Sequence, residues 1–584
     1  MLLRTLAIRY FRGVASARVD LEDPTTVWIG ENDFGKTSLL EALAMALGTG
    51  DPDRPIVFEP PHLHHVGRTE DTDVAGPPSI ELVFVERRPG EVPSSSPLAR
   101  VLGAPGTEPR HLRLSIEGRL SDGTLVTTFT LAGTEGSGAV DDAALLAELR
   151  RLHPLLWIRG GMLVGTDLLA GPSTKDGSAA HAALAPEVEA LAKDLEGRYA
   201  RIFTGQSLHT ARDVAAGAAA AESLLRLRDE TESVSQVSEG AVVAEIVGRR
   251  TLPSRAAVQR RRSRLGSAAQ RIGVLMLVAA VMRSGRGAFT EGADPIVAIE
   301  DPEAHLHPMT LATVWDLLSQ IRWQKIVTTQ SGTLLSSAPL SSLRRLVRAE
   351  GHVRVHAIGP HGIGREALRK FSYHVRFRRG GAMFARAWLL VEGETEFWLV
   401  TEIARLMGFD LGQEGVAVVE FAQSGLAPLI KVADALGIGW HVLADGDRAG
   451  ETYANKARAM AYPRPPEAHV SMLPDRDIEH CFYEHGYKHV FVRVSKLGPA
   501  ARTLTPTRII KKAIDRDSKP GIAFALIEAA GSDRSPGLPK PLRQVVERVL
   551  HLAWSPPAPL PTPPVVHGGK AGSGRISRRG PVRR

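Results

Sequence analysis

Two hydrophobic runs, each ending in acids, constrain this chain more than any other feature. Trp388-Leu389-Leu390-Val391 reads as a buried strand and stops at Glu392-Gly393-Glu394-Thr395-Glu396. Trp440 to Ala444 reads as a second strand and stops at Asp445-Gly446-Asp447. Helical patterns at Phe397–Met407 and Pro428–Leu436, with an apolar run at Val416–Phe421, separate them. Strands alternating with helices predict a parallel sheet with crossovers on its faces. In such a sheet the carboxyl ends of the strands meet along one edge, where ligands bind. Glu392, Asp445 and Asp447 are therefore expected to converge. Crowded carboxylates repel one another and stay ionised together only around cations. An oxygen-only set suits Mg²⁺ or Mn²⁺, the ions of phosphoryl chemistry. The plain alternative is two solvated acidic turns.

A second constraint lies near the start. Leu2–Phe11 and Thr26–Ile29 read as strands. The latter runs into Gly30-Glu31-Asn32-Asp33-Phe34-Gly35-Lys36-Thr37-Ser38 and then an apolar helix, Leu39–Leu47. This is the phosphate-loop pattern in its strand–loop–helix context. Gly30, Asn32 and Gly35 shape a loop whose N–H groups face phosphates. Lys36 reaches the β/γ-phosphates, Thr37 would ligate Mg²⁺, and Ser38 completes the motif. Far downstream, Pro295–Ile299 reads as a buried strand ending in Glu300-Asp301-Pro302-Glu303-Ala304-His305-Leu306-His307. His305 and His307, two residues apart with no third ligand nearby, read as packing or dimer-contact residues.

These motifs carry two resemblances. Residues 388–450 resemble a TOPRIM domain, the Mg²⁺ module of topoisomerases, bacterial primases and OLD-family nucleases. The resemblance implies Glu392 as acid/base or metal ligand and Asp445 and Asp447 as metal ligands. It extends to Glu396, one helical turn on and on the same face, to Glu479 for a second metal, and to Lys519, which would stabilise charge on a scissile phosphate. Surface salt bridges are the plain alternative for these three. The first motifs resemble the split ATPase head of the SMC and RecF group. That implies Glu300 on the Mg²⁺ side and Asp301 polarising the attacking water. Ser267, at the place of the signature loop, would contact the γ-phosphate of a second subunit, with a helix N-cap as its alternative. Gln330, in Thr328-Thr329-Gln330-Ser331, stands where this group commonly has His, and a Gln has no proton to exchange.

The fold class expected is α/β: an ABC-type P-loop head with a helical insertion, followed by a Rossmann-like TOPRIM sheet. The expected limits are an ATPase N-terminal half at 1–140, a helical insertion at 141–245, an ATPase C-terminal half at 246–375, a TOPRIM domain at 380–552 and a disordered basic tail at 553–584. Length decides the plurality, because 584 residues exceed what one core accommodates. Residues 162–180 read as a mobile loop.

The net charge of +8 favours an anionic partner. Arg249–Arg264 holds seven arginines and suits phosphate contacts, with a solvated basic face as the alternative. One cysteine, Cys481, excludes an internal disulfide and a thiolate zinc cluster. Its lack of disulfides, with no signal peptide and no run long enough to span a bilayer, points to the cytoplasm and away from membranes. The architecture resembles OLD-family ATP-dependent endonucleases over roughly residues 1–550. It implies a DNA endonuclease with a two-metal Mg²⁺/Mn²⁺ site, ATP with Mg²⁺ as second cofactor, and a homodimer through heads or insertion. The alternative is an SMC/RecF-like, ATP-switched DNA-binding protein without nuclease activity.

Overall fold

The computed structural model describes residues 1–49, 52–66, 73–74, 76–121, 124–133, 139–159, 162–164, 177–199, 267–284, 289, 292–304, 306–359, 363–371 and 380–555. The arginine-rich stretch at 249–264, the second insertion helix read at 211–227, His305 and the tail from 556 lie outside these residues.

Twelve strands form one large sheet. Their spatial order is Met162–Val164, Leu155–Arg159, Ile296–Glu300, Gln324–Thr328, Thr25–Ile29, Leu343–Ala349, His352–Ala357, Val14–Asp20, Leu2–Phe11, Ser79–Val85, His111–Ser121 and Thr124–Ala132. The four strands from Leu155–Arg159 to Thr25–Ile29 run parallel, and Leu343–Ala349 continues that direction. The last five strands are antiparallel neighbours. This division follows from the sequence pattern. Thr25–Ile29 and Ile296–Glu300 are buried almost throughout and covered on both faces, whereas Ser79–Val85 alternates buried and half-buried residues.

Two features depart from the sequence reading. Leu155–Arg159 lies inside the large sheet, beside the strand that ends at Glu300, so residues read as part of the helical insertion belong to that sheet. Residues 162–164 pair antiparallel with it rather than forming a loop, and residues 177–199 are helical. The run Leu-Leu-Trp-Ile at 155–158 is short and wholly buried, and such a run does not by periodicity separate strand from helix.

The second sheet has four parallel strands in the order Val416–Glu420, Ala387–Val391, Gly439–Ala444 and Val470–Met472. Helices Glu394–Leu406 and Lys540–Trp554 share one apolar cluster on one face of it with the long helix Pro506–Ala530. On the other face, one cluster runs without a break from Val27 and Ile299 of the large sheet to Trp388, Leu390 and Val442 of the small one. The two sheets thus share buried apolar packing. No described helix is long and apolar enough to cross a membrane.

Candidate functional site

The phosphate-loop motif forms a turn between Thr25–Ile29 and the helix Lys36–Leu47. Gly30 has φ 154, and a Cβ there would lie 2.7 Å from the Leu346 carbonyl oxygen, so the neighbouring strand enforces glycine. Lys36 is buried and folded back over the loop. Its Nζ donates to the carbonyl oxygens of Gly30 at 2.6 Å and Glu31 at 2.9 Å. Burial lowers the pKa of Lys36, and the nearby acids Asp301, Glu303, Asp33 and Glu31 oppose that shift. Asn32 is exposed and Ser38 half-buried in the first helical turn.

The downstream acids close on this loop. Thr37 Oγ1 donates to Glu300 Oε1 at 2.8 Å. Asp301 has φ 45, its N–H donates to Thr328 Oγ1 at 3.1 Å, and that hydroxyl donates to Asp301 Oδ1 at 3.2 Å. Ser267 begins the helix Ser267–Ser284. The signature segment before it, residues 264–266, lies outside the described residues. The Gln330 N–H donates to Glu303 Oε1 at 2.6 Å, and Thr329 Oγ1 donates to the same oxygen at 2.8 Å. Burial raises the Glu303 carboxyl above the usual range.

Glu303 and Arg159 are two residues that sequence reasoning left without a role here. Arg159 ends the strand beside Ile296–Glu300, in register with Glu300, and its Nε stands 3.1 Å from Glu300 Oε2. Glu303 follows Asp301 closely enough to be found from sequence, but nothing local shows that it reaches across to residues 329–330. His307 accepts the Met309 N–H as a cap at 3.2 Å.

The second cluster lies at the carboxyl edge of the small sheet. Glu392 follows Ala387–Val391, and Asp445 follows Gly439–Ala444, its parallel neighbour. Glu396 sits in the first turn of Glu394–Leu406, where its Oε2 accepts the Gly393 N–H at 2.9 Å. Asp447 caps Arg448–Ala461 through the Gly450 N–H at 2.8 Å. Gly446 lets the loop pass close to its neighbour, because a Cβ would meet the Asp475 carbonyl oxygen at 2.2 Å.

Asp477 caps Ile478–Phe482 through the His480 N–H at 2.8 Å, which brings Glu479 into the first turn of that helix. Lys519 approaches from Pro506–Ala530, whose backbone breaks at Ser518 (φ 73, ψ 161). That combination of angles is sparsely populated for any residue but glycine and is the kind of strain held where position matters. Lys519 Nζ lies 3.4 Å from Glu479 Oε1.

Electrostatics tie these groups together. Burial raises Asp445 to about 8, and the charges of Glu396, Glu392, Asp477 and Glu479 add to the shift. Burial, Glu396 and Asp447 raise Glu392, while Lys519 lowers it. Glu479 is also raised by burial, with Lys519 opposing. The charges of Glu396, Glu392 and Glu479 act on Asp445, those of Glu396 and Asp447 on Glu392, and that of Glu396 on Glu479, which puts these carboxylates in one neighbourhood, although among the described residues no three of them bring ligand oxygens within 4.8 Å of one another. Asp477 joins them, although sequence reasoning gave it no part; its Asp-x-Glu spacing with Glu479 is the available signal.

These residues fit a divalent ion. Burial and neighbouring negative charge raise the carboxyls of Glu392, Asp445 and Glu479, one ammonium stands beside Glu479, and Glu479 Oε1 is buried without a well-formed hydrogen bond. A hard cation with oxygen ligands relieves both conditions.

A family model described as a protein of unknown function, DUF2813, matches residues 1–382. A second, the TOPRIM domain of proteins like the overcoming-lysogenization-defect (OLD) protein, matches residues 383–447. The Escherichia coli K12 protein YbjD, described as uncharacterized, is 33% identical over 582 residues, covering 95% of this chain and 99% of YbjD. Among solved structures, the C-terminal region of the Burkholderia pseudomallei OLD protein matches with 22% identity over 29% of this chain and 99% of its own, at a TM-score of 0.25. The SMC head domain of Thermotoga maritima matches with 15% identity over 62% of this chain and 100% of its own, at a TM-score of 0.29. The chain belongs to the DUF2813 family and joins that region to an OLD-like TOPRIM domain.

Proposed function

We propose that this chain is an ATP-binding, divalent-metal-dependent DNA endonuclease. The observation that carries the reading is that Glu392 and Asp445 end neighbouring parallel strands beside Glu396 and the Lys519–Glu479 pair; burial, and then the charges of Glu396 and Glu392, raise the Asp445 carboxyl to about 8. Glu392, Glu396, Asp445, Asp447 and Glu479 would hold two Mg²⁺ or Mn²⁺ ions, and Asp477 joins that set. Bound there, such ions supply an activated water and charge neutralisation for phosphodiester hydrolysis.

The chain's own groups do the rest. Lys519, held beside Glu479, presents an ammonium to developing negative charge on the scissile phosphate. Asp447 holds the Asp-Gly-Asp loop against the next helix through its cap.

At the other site, Gly30–Ser38 would bind ATP with Mg²⁺, with Thr37 and Glu300 on the metal side. Asp301 would polarise the attacking water, Gln330 would contact the γ-phosphate, and Ser267 of a second copy would close the site in a homodimer. A proton-exchanging His is absent from position 330, so ATP is expected to gate the protein's shape more than to turn over rapidly.

Nicking of supercoiled plasmid in Mn²⁺ tests the assignment, with Asp445→Ala/Asp447→Ala as the comparison. Equal nicking by both proteins removes the nuclease. DNA binding that depends on Lys36, with no cleavage under any divalent metal, leaves an ATP-switched DNA-binding protein instead.

A further inference from the structure

A carboxylate beside a bound polyphosphate repels it unless a cation screens the charge. Glu31 immediately follows Gly30, and a polyphosphate approaching the loop meets its charge. The neutralising partner comes from the other module. Arg386 Nε lies 2.6 Å from Glu31 Oε1, and Arg386 Nη2 lies 2.7 Å from Glu31 Oε2, a two-pronged pair across 355 positions of sequence. Arg386 directly precedes Ala387–Val391, the strand whose far end delivers Glu392.

We propose that Arg386, although it lies in the TOPRIM module, is a charge-balancing residue of the nucleotide site: by occupying the Glu31 carboxylate it makes the phosphate loop receptive to a nucleoside triphosphate. This rests on the reading of Gly30–Ser38 as a nucleotide site. One five-residue strand, roughly 17 Å long, then has the nucleotide loop at its start and the carboxylate cluster at its end.

Docking of the two modules does not need this pair. Arg345, 4% exposed, already fastens them: its Nη1 donates to the carbonyl oxygens of Leu436 and Gly437, both at 3.0 Å, and its Nη2 to that of Ala385 at 2.9 Å. Beside it, Gly332 and Gly380 touch backbone to backbone, so closely that a Cβ on Gly380 would lie 2.4 Å from the Gly332 carbonyl oxygen. By contrast, the side chains of Arg386 and Glu31 are 49% and 33% exposed. A pair so exposed adds little to stability. Its position is what matters. The same Glu31 also supplies a backbone carbonyl to Lys36, which must leave that oxygen to reach a phosphate.

The test is binding of an N-methylanthraniloyl ATP analogue with Mg²⁺ to the full chain, read by fluorescence. Wild type, Arg386→Ala, Glu31→Gln and the double variant are compared, with Lys36→Ala as control and thermal melting as a check on folding. Arg386→Ala is expected to bind about tenfold more weakly, because the Glu31 carboxylate then loses its hydrogen-bonded partner and keeps only the charges of Arg345 and Lys36. Glu31→Gln is expected to bind at least as well as wild type. The double variant is expected to return to within about twofold of wild type, a non-additivity that lost docking does not produce. Wild-type affinity in Arg386→Ala, or a double variant as weak as Arg386→Ala, overturns the proposal while leaving the nucleotide site standing. Wild type that binds no better than Lys36→Ala overturns the nucleotide site itself, and this inference with it.

Discussion

Lys519 Nζ stands 3.4 Å from Glu479 Oε1, and the two residues come from different helices, the first placed by a backbone break at Ser518. Glu479 and Glu396 raise the pKa of Lys519 against the effect of burial, so the side chain stays an ammonium inside the cluster. Loss of that charge at a developing phosphorane costs about 10²–10³-fold in rate. Lys519→Ala is expected to lose that much of the plasmid-nicking rate at saturating Mn²⁺, with unchanged melting. Lys519→Arg, which keeps the charge on a bulkier head, is expected to retain a measurable fraction. Wild-type rates in Lys519→Ala would mean that the ammonium only balances Glu479.

A pH dependence follows from Asp445. Its carboxyl moves from 3.8 to about 8 on folding, first through burial and then through Glu396 and Glu392. A carboxyl raised on folding binds its proton more tightly in the native chain than in the unfolded one. Its contribution to stability is full below about pH 4 and is lost as pH rises towards 8. With EDTA present, the melting temperature is expected to fall between pH 5 and pH 8.5. Asp445→Asn, which carries no charge, is expected to flatten that slope. Mn²⁺ is expected to restore stability most at the alkaline end, since it replaces the proton. A metal-free melting temperature that climbs over this interval in wild type and Asp445→Asn alike would contradict the crowding.

What the sequence disclosed, and what it hid, follows from the range of the forces involved. Glu392 and Asp445 were legible because a buried parallel strand is a continuous apolar run, and the first acid after it has only one edge to occupy. Gly30–Ser38 was legible because its strand–loop–helix context is local. Asp477 was harder to read, because its Oδ1 serves as a helix cap and the residue looks like ordinary capping chemistry. Glu303 and Arg386 were hidden for a different reason. Their partners, Gln330 and Glu31, lie 27 and 355 positions away, and no periodicity records such a pairing. The strand at Leu155–Arg159 was hidden because a short buried run has no alternation to mark it.

Thr37 and Glu300 lie 263 positions apart and share a hydrogen bond of 2.8 Å. A Thr hydroxyl paired with a strand-end carboxylate is the arrangement that holds Mg²⁺ in P-loop proteins. Thr37→Val removes the oxygen and keeps the shape. It is expected to weaken Mg²⁺-nucleotide binding by about tenfold, one hydrogen-bonded oxygen ligand, and to leave binding in EDTA nearly unchanged. Titration of the same fluorescent analogue with and without Mg²⁺ measures both. Equal losses in the two conditions would place Thr37 in the packing of the helix and not beside the ion.

Gly446 offers the sharpest separation of site from scaffold. A Cβ at that position would lie 2.2 Å from the Asp475 carbonyl oxygen and 2.7 Å from that of Leu473, distances that no side-chain adjustment relieves because both obstacles are backbone. The Gly446 N–H also donates to the Asp475 carbonyl at 3.1 Å, so the loop cannot retreat without losing that bond. Gly446→Ala must therefore shift the segment between Asp445 and Asp447, and with it the carboxylates on either side. The large sheet, which shares no atom with this loop, has no reason to respond. The variant is expected to keep nucleotide binding near wild type while its melting temperature no longer rises on addition of Mn²⁺. Nicking is expected to fall by at least 10²-fold, since a misplacement of about 1 Å costs that much. A variant that still gains wild-type stability from Mn²⁺ would show that the cation is held without the Asp-Gly-Asp loop, and Glu392, Glu396 and Glu479 would then have to hold it alone.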